Sequence, residues 1–340
     1  MGSIVKFSAV NSKVKALKGK MLNKEQYLKL QQSKNFKDAV NVLKEETYYG
    51  RILSDYNLDT IHREDLEIIL DRYYINIYSK FLNYFSGEYR KVIKNLFLRW
   101  EIEDLKIIIR GKYLKKSRDE IENRLIAKSN LNTINYDYLL PLKDAEEILE
   151  ALKETIYYKP LKNLVKDIDK KGLFRLETEL DFLYFSSIRK EIKHLDKENK
   201  EAVYSIIGIE ADLLNLNWIY RGKFFYKIPP EELFNYTIYD SFKLSKDTIK
   251  NLCYVNSNEE FQKLLKDSKY SFIYQNDNLS FIEKREREFE REYFSRIIKE
   301  NKNNLSVVMS YFILYGIEIK DIISILEQKR YIIDMSKSIV

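Results

Sequence analysis

The chain has 340 residues, 45% hydrophobic and 33% charged, and 59 basic against 52 acidic side chains give a net charge of +7. That composition excludes a disordered polymer, and the mild, dispersed basic excess lacks the concentrated stripe of a nucleic-acid binder. The single Cys253 rules out a disulfide framework and fits a reducing compartment, while only 9 Gly and 4 Pro favour long helices over a turn-rich β fold.

In chain order, the opening "MGSIVKFSAVNSK" has no long apolar core and does not read as a signal peptide. Leu66, Ile69, Leu70, Tyr73, Tyr74, Ile77, Tyr78, Phe81, Leu82 and Phe85 then recur at spacings of three and four, predicting a helix with one broad apolar stripe. The next run, "RWEIEDLKIIIRGK" (Arg99 to Lys112), predicts a helix with Glu101, Glu103 and Asp104 near its start and Ile102, Leu105, Ile108 and Ile109 on its apolar face. Acids at one end and Arg110 at the other both oppose the helix dipole, and Gly111 is expected to end the helix in the left-handed conformation. A phosphate-binding loop would need glycine where Lys106 stands.

Leu176, Leu180, Leu183, Tyr184, Ser187 and Ile188 form a second stripe, followed by "ADLLNLNWIYRGKFF" (Ala211 to Phe225), where Gly222 is again expected to stop a helix. In "FIEKREREFEREYFSRII" the pairs Glu283–Arg287 and Lys284–Glu288 support a charged helix, either a solvated face or a docking face. The apolar run "LSVVMSYFILYGI" (Leu305 to Ile317) is too short to span a bilayer and reads as a buried helix. Gln328 replaces the stop glycine near the C-terminus, so that helix should continue towards Asp334.

These elements repeat. "LEIILDRYY" (Leu66 to Tyr74) returns as "LETELDFLY" (Leu176 to Tyr184), and "LKEETYY" (Leu43 to Tyr49) as "ALKETIY" (Ala151 to Tyr157), with a third echo in "LLKDSKY" (Leu264 to Tyr270). "LNKEQY" from Leu22 is answered by "LSKDTI" from Leu244, and Glu101 to Ile108 by Glu318 to Ile325. Matches in one order at nearly one shift predict three copies of a helical unit of about 110 residues. The boundaries fall at 1–130, including an N-terminal helix, 131–240 and 241–340.

No catalytic constellation stands out. His62 and His194 lack metal-ligand spacing, no CxxC or GxSxG occurs, and Cys253 sits in an apolar context that suits a core residue. No catalytic, cofactor or metal residues are expected. The 27 Tyr accompany abundant Lys, Asn and Ile, all with A+T-rich codons, so base stacking is not needed to explain them.

The N-terminal "FSAVNSKVKALKGKMLNKEQYLKL", "LKEETYYG", "RWEIEDLKIIIRGK" and "VVMSYFILYGIEIKDIISILEQK" together resemble the C subunit of the V/A-type rotary ATPases, called the d subunit in eukaryotes, from about Phe7 to Lys329. Two departures are Asn11-Ser12-Lys13, at an Asn-Ala-Arg-like element, and Tyr315-Gly316, where a Lys-Glu pair is usual. The resemblance implies an all-α fold, three homologous lobes in a pseudo-threefold funnel, and a coupling role without chemistry. The implied partners are the central-shaft subunits D and F and the membrane ring of c-type (K) subunits. The implied place is peripheral, on the cytoplasmic face of the membrane within the ATPase complex. No nucleic acid and no transmembrane segment are expected; the competing reading is a helical-repeat scaffold that binds RNA or another partner.

The copies put Glu101 and Asp104, Asp212 and Asn215, and Glu318 and Asp321 at equivalent helix starts. Either each complements its own helix dipole, or the six form a ring that receives basic shaft residues.

Overall fold

A computed structural model describes residues 3–57, 61, 63–129, 131–166, 168, 172–239, 242–275 and 278–331. Every regular element among them is an α- or 3-10 helix. Helices of seven or more residues are labelled in chain order. The first four are α1 (Ser3–Lys18), α2 (Lys24–Gln32), α3 (Phe36–Glu46) and α4 (Arg63–Phe81). Next come α5 (Gly87–Leu96), α6 (Leu98–Tyr113), α7 (Ala145–Ala151), α8 (Tyr158–Val165), α9 (Phe174–Ile192), α10 (Lys197–Phe224) and α11 (Lys246–Tyr254). The last three are α12 (Asn258–Leu265), α13 (Leu279–Glu300) and α14 (Ser306–Tyr331). The chain forms two compact units, one from residues 1–84 with 254–340, the other from 85–253.

In the first unit α14 is the central helix, packed against α1, α3, α4 and α13. The apolar run from Leu305 explains this: Leu305, Val307, Val308, Met309, Tyr311, Phe312, Leu314, Tyr315 and Ile317 are all buried. The Tyr74 hydroxyl donates to the Phe312 carbonyl at 2.6 Å, and the Tyr315 ring lies 5.3 Å from that of Tyr74 and 6.5 Å from that of Tyr49. A Cβ on Gly316 would stand 3.3 Å from the Tyr74 ring. Tyr315 therefore builds an aromatic core, where a Lys would bury a charge. No helix among the described residues is long and apolar enough to cross a membrane.

In the second unit α9 holds the centre, packed on α5, α6, α8 and α10. Helices α4 and α9 each have 19 residues. Leu66 and Leu70, and Leu176 and Leu180, are at most 1% exposed, so both helices bury the same face.

The repeat is also visible atom by atom. After α3, Thr47 donates its hydroxyl to the Leu43 carbonyl (2.6 Å) and accepts the Tyr49 N–H (3.1 Å). After α7, Thr155 does the same with Leu152 (2.6 Å) and Tyr157 (3.3 Å); after α12, Ser268 does it with Leu265 (2.8 Å) and Tyr270 (3.2 Å). Each turn satisfies a helix-end carbonyl and drives a tyrosine into the core, where all three are at most 1% exposed.

The glycine stops do not hold. Gly111 and Gly222 lie inside α6 and α10, and the left-handed residues are Lys115 (φ 54°) and Lys227 (φ 55°) further on. The glycines make room instead. A Cβ on Gly111 would meet Ile121 Cγ1 at 2.5 Å, and one on Gly222 would meet Leu233 Cδ1 at 2.6 Å. Each lets the following short helix close against the longer one. Gly111→Val should therefore cost about 1–3 kcal/mol through overpacking, read as a lower midpoint in urea; an unchanged midpoint would contradict the close contact. Helix α14 does run past Gln328, to Tyr331, and Asp334 lies outside the described residues.

Candidate functional site

The six residues singled out by the repeat do not sit alike on their helices. Glu101 is in the first turn of α6, but Asp212 and Glu318 are in the interiors of α10 and α14. The helix-start reading fails there because α10 begins upstream at Lys197 and α14 at Ser306, each carried through by buried apolar residues. Glu101, Asp104, Asp212 and Asn215 are fully buried and Glu318 is 1% exposed.

What they bind explains the burial. Glu101 accepts the Thr133 N–H and hydroxyl and the Tyr157 hydroxyl. Asp212, its counterpart in the next copy, accepts N–H groups of Phe242 (3.1 Å), Lys243 (2.8 Å) and Leu244 (3.4 Å). Both acids thus tie down the chain 32 residues ahead. Glu318 accepts the Leu22 N–H and the Tyr49 hydroxyl, each at 2.8 Å. Leu22, Thr133 and Leu244 occupy equivalent positions in the three copies, so the third acid has no later copy to hold and takes the first.

The second position follows the same rule in two copies. Asp104 accepts from Ile126 N–H (2.9 Å) and Ala127 N–H (2.8 Å). Asn215 accepts the Ile238 N–H (2.7 Å) and donates to the Ile238 carbonyl (2.8 Å). Asp321 differs: its side chain, 16% exposed, pairs with Arg287 at 3.2 Å and with Arg291. Two cations of the α13 charge run therefore turn towards α14.

Close approach supports these ties. Gly208, one turn before Asp212, would put a Cβ 2.3 Å from the Cβ of Phe242, whose N–H Asp212 holds. Lys106, standing where a phosphate loop would need glycine, is 8% exposed and bridges Asp181 (2.6 Å) and Glu103 (3.0 Å). Arg99 of α6 meets Glu210 of α10 at 2.7 Å, joining equivalent positions of two copies.

This arrangement orders backbone: the buried carboxylates are engaged by the chain's own donors. Among the described residues no group of His, Cys, Asp and Glu could hold a metal ion, and burial pushes the Cys253 thiol up to about 12, far from a thiolate nucleophile. His194 is exposed, and His62 lies outside the described residues.

The family model for the ATP synthase (C/AC39) subunit matches residues 10–338. The chain belongs to that family. It is 27% identical over 74% of its length to the A-type ATP synthase C subunit of Methanosarcina acetivorans, covering 68% of that protein. With the namesake of Methanocaldococcus jannaschii it shares 26% identity over 72% of its length, and with that of Pyrococcus horikoshii 25% over 67%. The matches span 61% and 59% of those two relatives.

In this C/AC39 chain Glu318 has a measurable signature. Burial pushes its carboxyl up to about 7, against the opposing pull of the Tyr49 and Leu22 bonds and of Arg291. The folded chain then holds this proton more tightly than the unfolded one, whose carboxyl titrates near 4.5. The stabilisation from protonation is complete below about pH 4.5 and is lost as pH rises through about 7, a swing of about 3 kcal/mol. Thermal melts should show the native chain losing stability against Glu318→Gln as pH goes from about 5 to about 8. Parallel curves would contradict the assignment.

Proposed function

We propose that this chain is a non-catalytic central-stalk subunit of a V/A-type ATPase. It couples the rotating shaft of subunits D and F to the membrane ring of c-type (K) subunits, for ion transport driven by ATP or ATP synthesis driven by ions. It is peripheral, on the cytoplasmic face of the membrane. The family match over residues 10–338 carries this reading. The recurring Thr/Ser-x-Tyr turns at Thr47, Thr155 and Ser268 support three homologous lobes; the boundaries at 1–130, 131–240 and 241–340 come from the sequence repeat, and the pseudo-threefold funnel is what the family resemblance implies.

The physical demands of torque transmission agree with the ties. A coupling element must resist bending and twisting, and loops pinned by buried carboxylates to long helices open less readily than solvated ones. Of the six residues first considered for shaft contact, five serve as internal ties to loops, and the sixth, Asp321, is partly exposed and pairs with Arg287 and Arg291.

Affinity purification of the tagged chain from native membranes, with identification of what accompanies it, tests the assignment. Recovery of the shaft subunits and the ring is expected. Recovery of RNA, with ATPase subunits absent, would instead favour a helical-repeat scaffold. The purified chain should neither hydrolyse nor tightly bind ATP, since no Gly-rich phosphate loop is present in its sequence; turnover in a preparation free of catalytic subunits would overturn that.

A further inference from the structure

At Asp321 the seat is taken by two side chains of the chain itself, Arg287 and Arg291, and not by main chain. In two copies the residue at this position holds non-helical main chain of the same polypeptide, Ile126-Ala127 on Asp104 and Ile238 on Asn215. In the register that makes Leu22 equivalent to Thr133, the counterpart of Ala127 is Ala16, but Ala16 lies in helix α1. Beside Asp321 there is instead a cavity of about 430 Å³, and no residue of α1 lines it. Leu22, Tyr27 and Ile325 form its apolar wall, and Arg287, Arg291 and Asp321 its charged one. Lys24 and Lys284 also border it; against these four cations stand two carboxylates, Glu288 and Asp321.

We propose that this groove between α2, α13 and α14 receives a non-helical acidic segment of a partner polypeptide. The occupant is non-helical, like the main chain that fills the equivalent seats and presents N–H groups to the residue at this position. It carries an apolar side chain, as Ala127 and Ile238 do, to cover the Leu22 and Ile325 surface. It is acidic because four cations line the groove against two carboxylates, and its carboxylates can share the Arg287 and Arg291 guanidinium groups with Asp321 and meet Lys24 at the rim. The volume lies in the lower part of the roughly 300–1,000 Å³ range of ligand clefts, enough for a short segment of chain and too small for a folded module. The groove offers this chemistry whichever machine the chain serves.

Fluorescence anisotropy with the full chain tests it, using the labelled hexapeptide Asp-Glu-Ile-Ala-Asp-Glu and its charge-inverted counterpart Lys-Arg-Ile-Ala-Lys-Arg. Saturable, salt-sensitive binding of the acidic peptide alone is expected. Two substitutions each should weaken it about tenfold or more: Ser324→Trp, which fills the groove, and Lys24→Glu, which reverses an exposed rim charge at a helix start that tolerates acid. The second variant keeps the test decisive if the first disturbs folding. No saturable binding of the acidic peptide, equal binding of both peptides, or unchanged affinity in Lys24→Glu would overturn the proposal.

Discussion

Asp212→Ala should destabilise the isolated chain by about 3–5 kcal/mol, because each of several N–H groups left without an acceptor costs roughly 1–3 kcal/mol according to its burial. Asp212 accepts three consecutive N–H groups, and Leu244, the last of them, is buried. The Lys243 N–H belongs to an exposed residue and can turn to water, which keeps the total below three full penalties. Asp212→Asn, with one oxygen left to accept, should lose about half as much. The comparison separates a tie from a mere buried charge: if desolvation were the dominant effect, both neutral replacements would raise stability. Urea unfolding of the three proteins decides the matter, and a midpoint for Asp212→Ala equal to the native one would rule out the tie.

Leu180→Asp should be at least as damaging. Leu180 is fully buried on α9, the helix on which α5, α6, α8 and α10 pack. The substitution removes apolar contacts and puts a carboxylate where charges without partners are strongly disfavoured; losses above about 4 kcal/mol belong to this class of change. Its counterpart Leu70, equally buried on α4, should respond alike when changed to Asp. Circular dichroism at growth temperature would show loss of cooperative melting in both variants. A native melt in either would mean that the equivalent faces of α4 and α9 had been misassigned.

Helices were the legible part of this fold. The three-and-four spacing of Leu66, Leu70, Tyr74 and Tyr78 marks α4 and its buried face, and low Gly and Pro content leaves few other ways to satisfy the backbone. The Glu-Thr-x-Tyr echo was legible too, because a turn that spends a hydroxyl on the backbone and a tyrosine on the core needs those residue types at that spacing. The equivalence of Glu101, Asp212 and Glu318 was legible as an alignment, but their partners were not. Those partners are mostly main-chain N–H groups of distant loops, and an amide carries no side-chain signature. The glycines misled for a related reason. Gly111 in Arg-Gly-Lys has the look of a helix terminus, while its role depends on Ile121 arriving against the helix from beyond the turn.

Coupling itself can be measured in membrane vesicles that carry the complete ATPase. Stripping this chain from them should abolish ATP-driven ion uptake while ATP hydrolysis by the released catalytic part continues, and adding back the purified chain should restore uptake. Vesicles that pump ions at the full rate without the chain would contradict the coupling role.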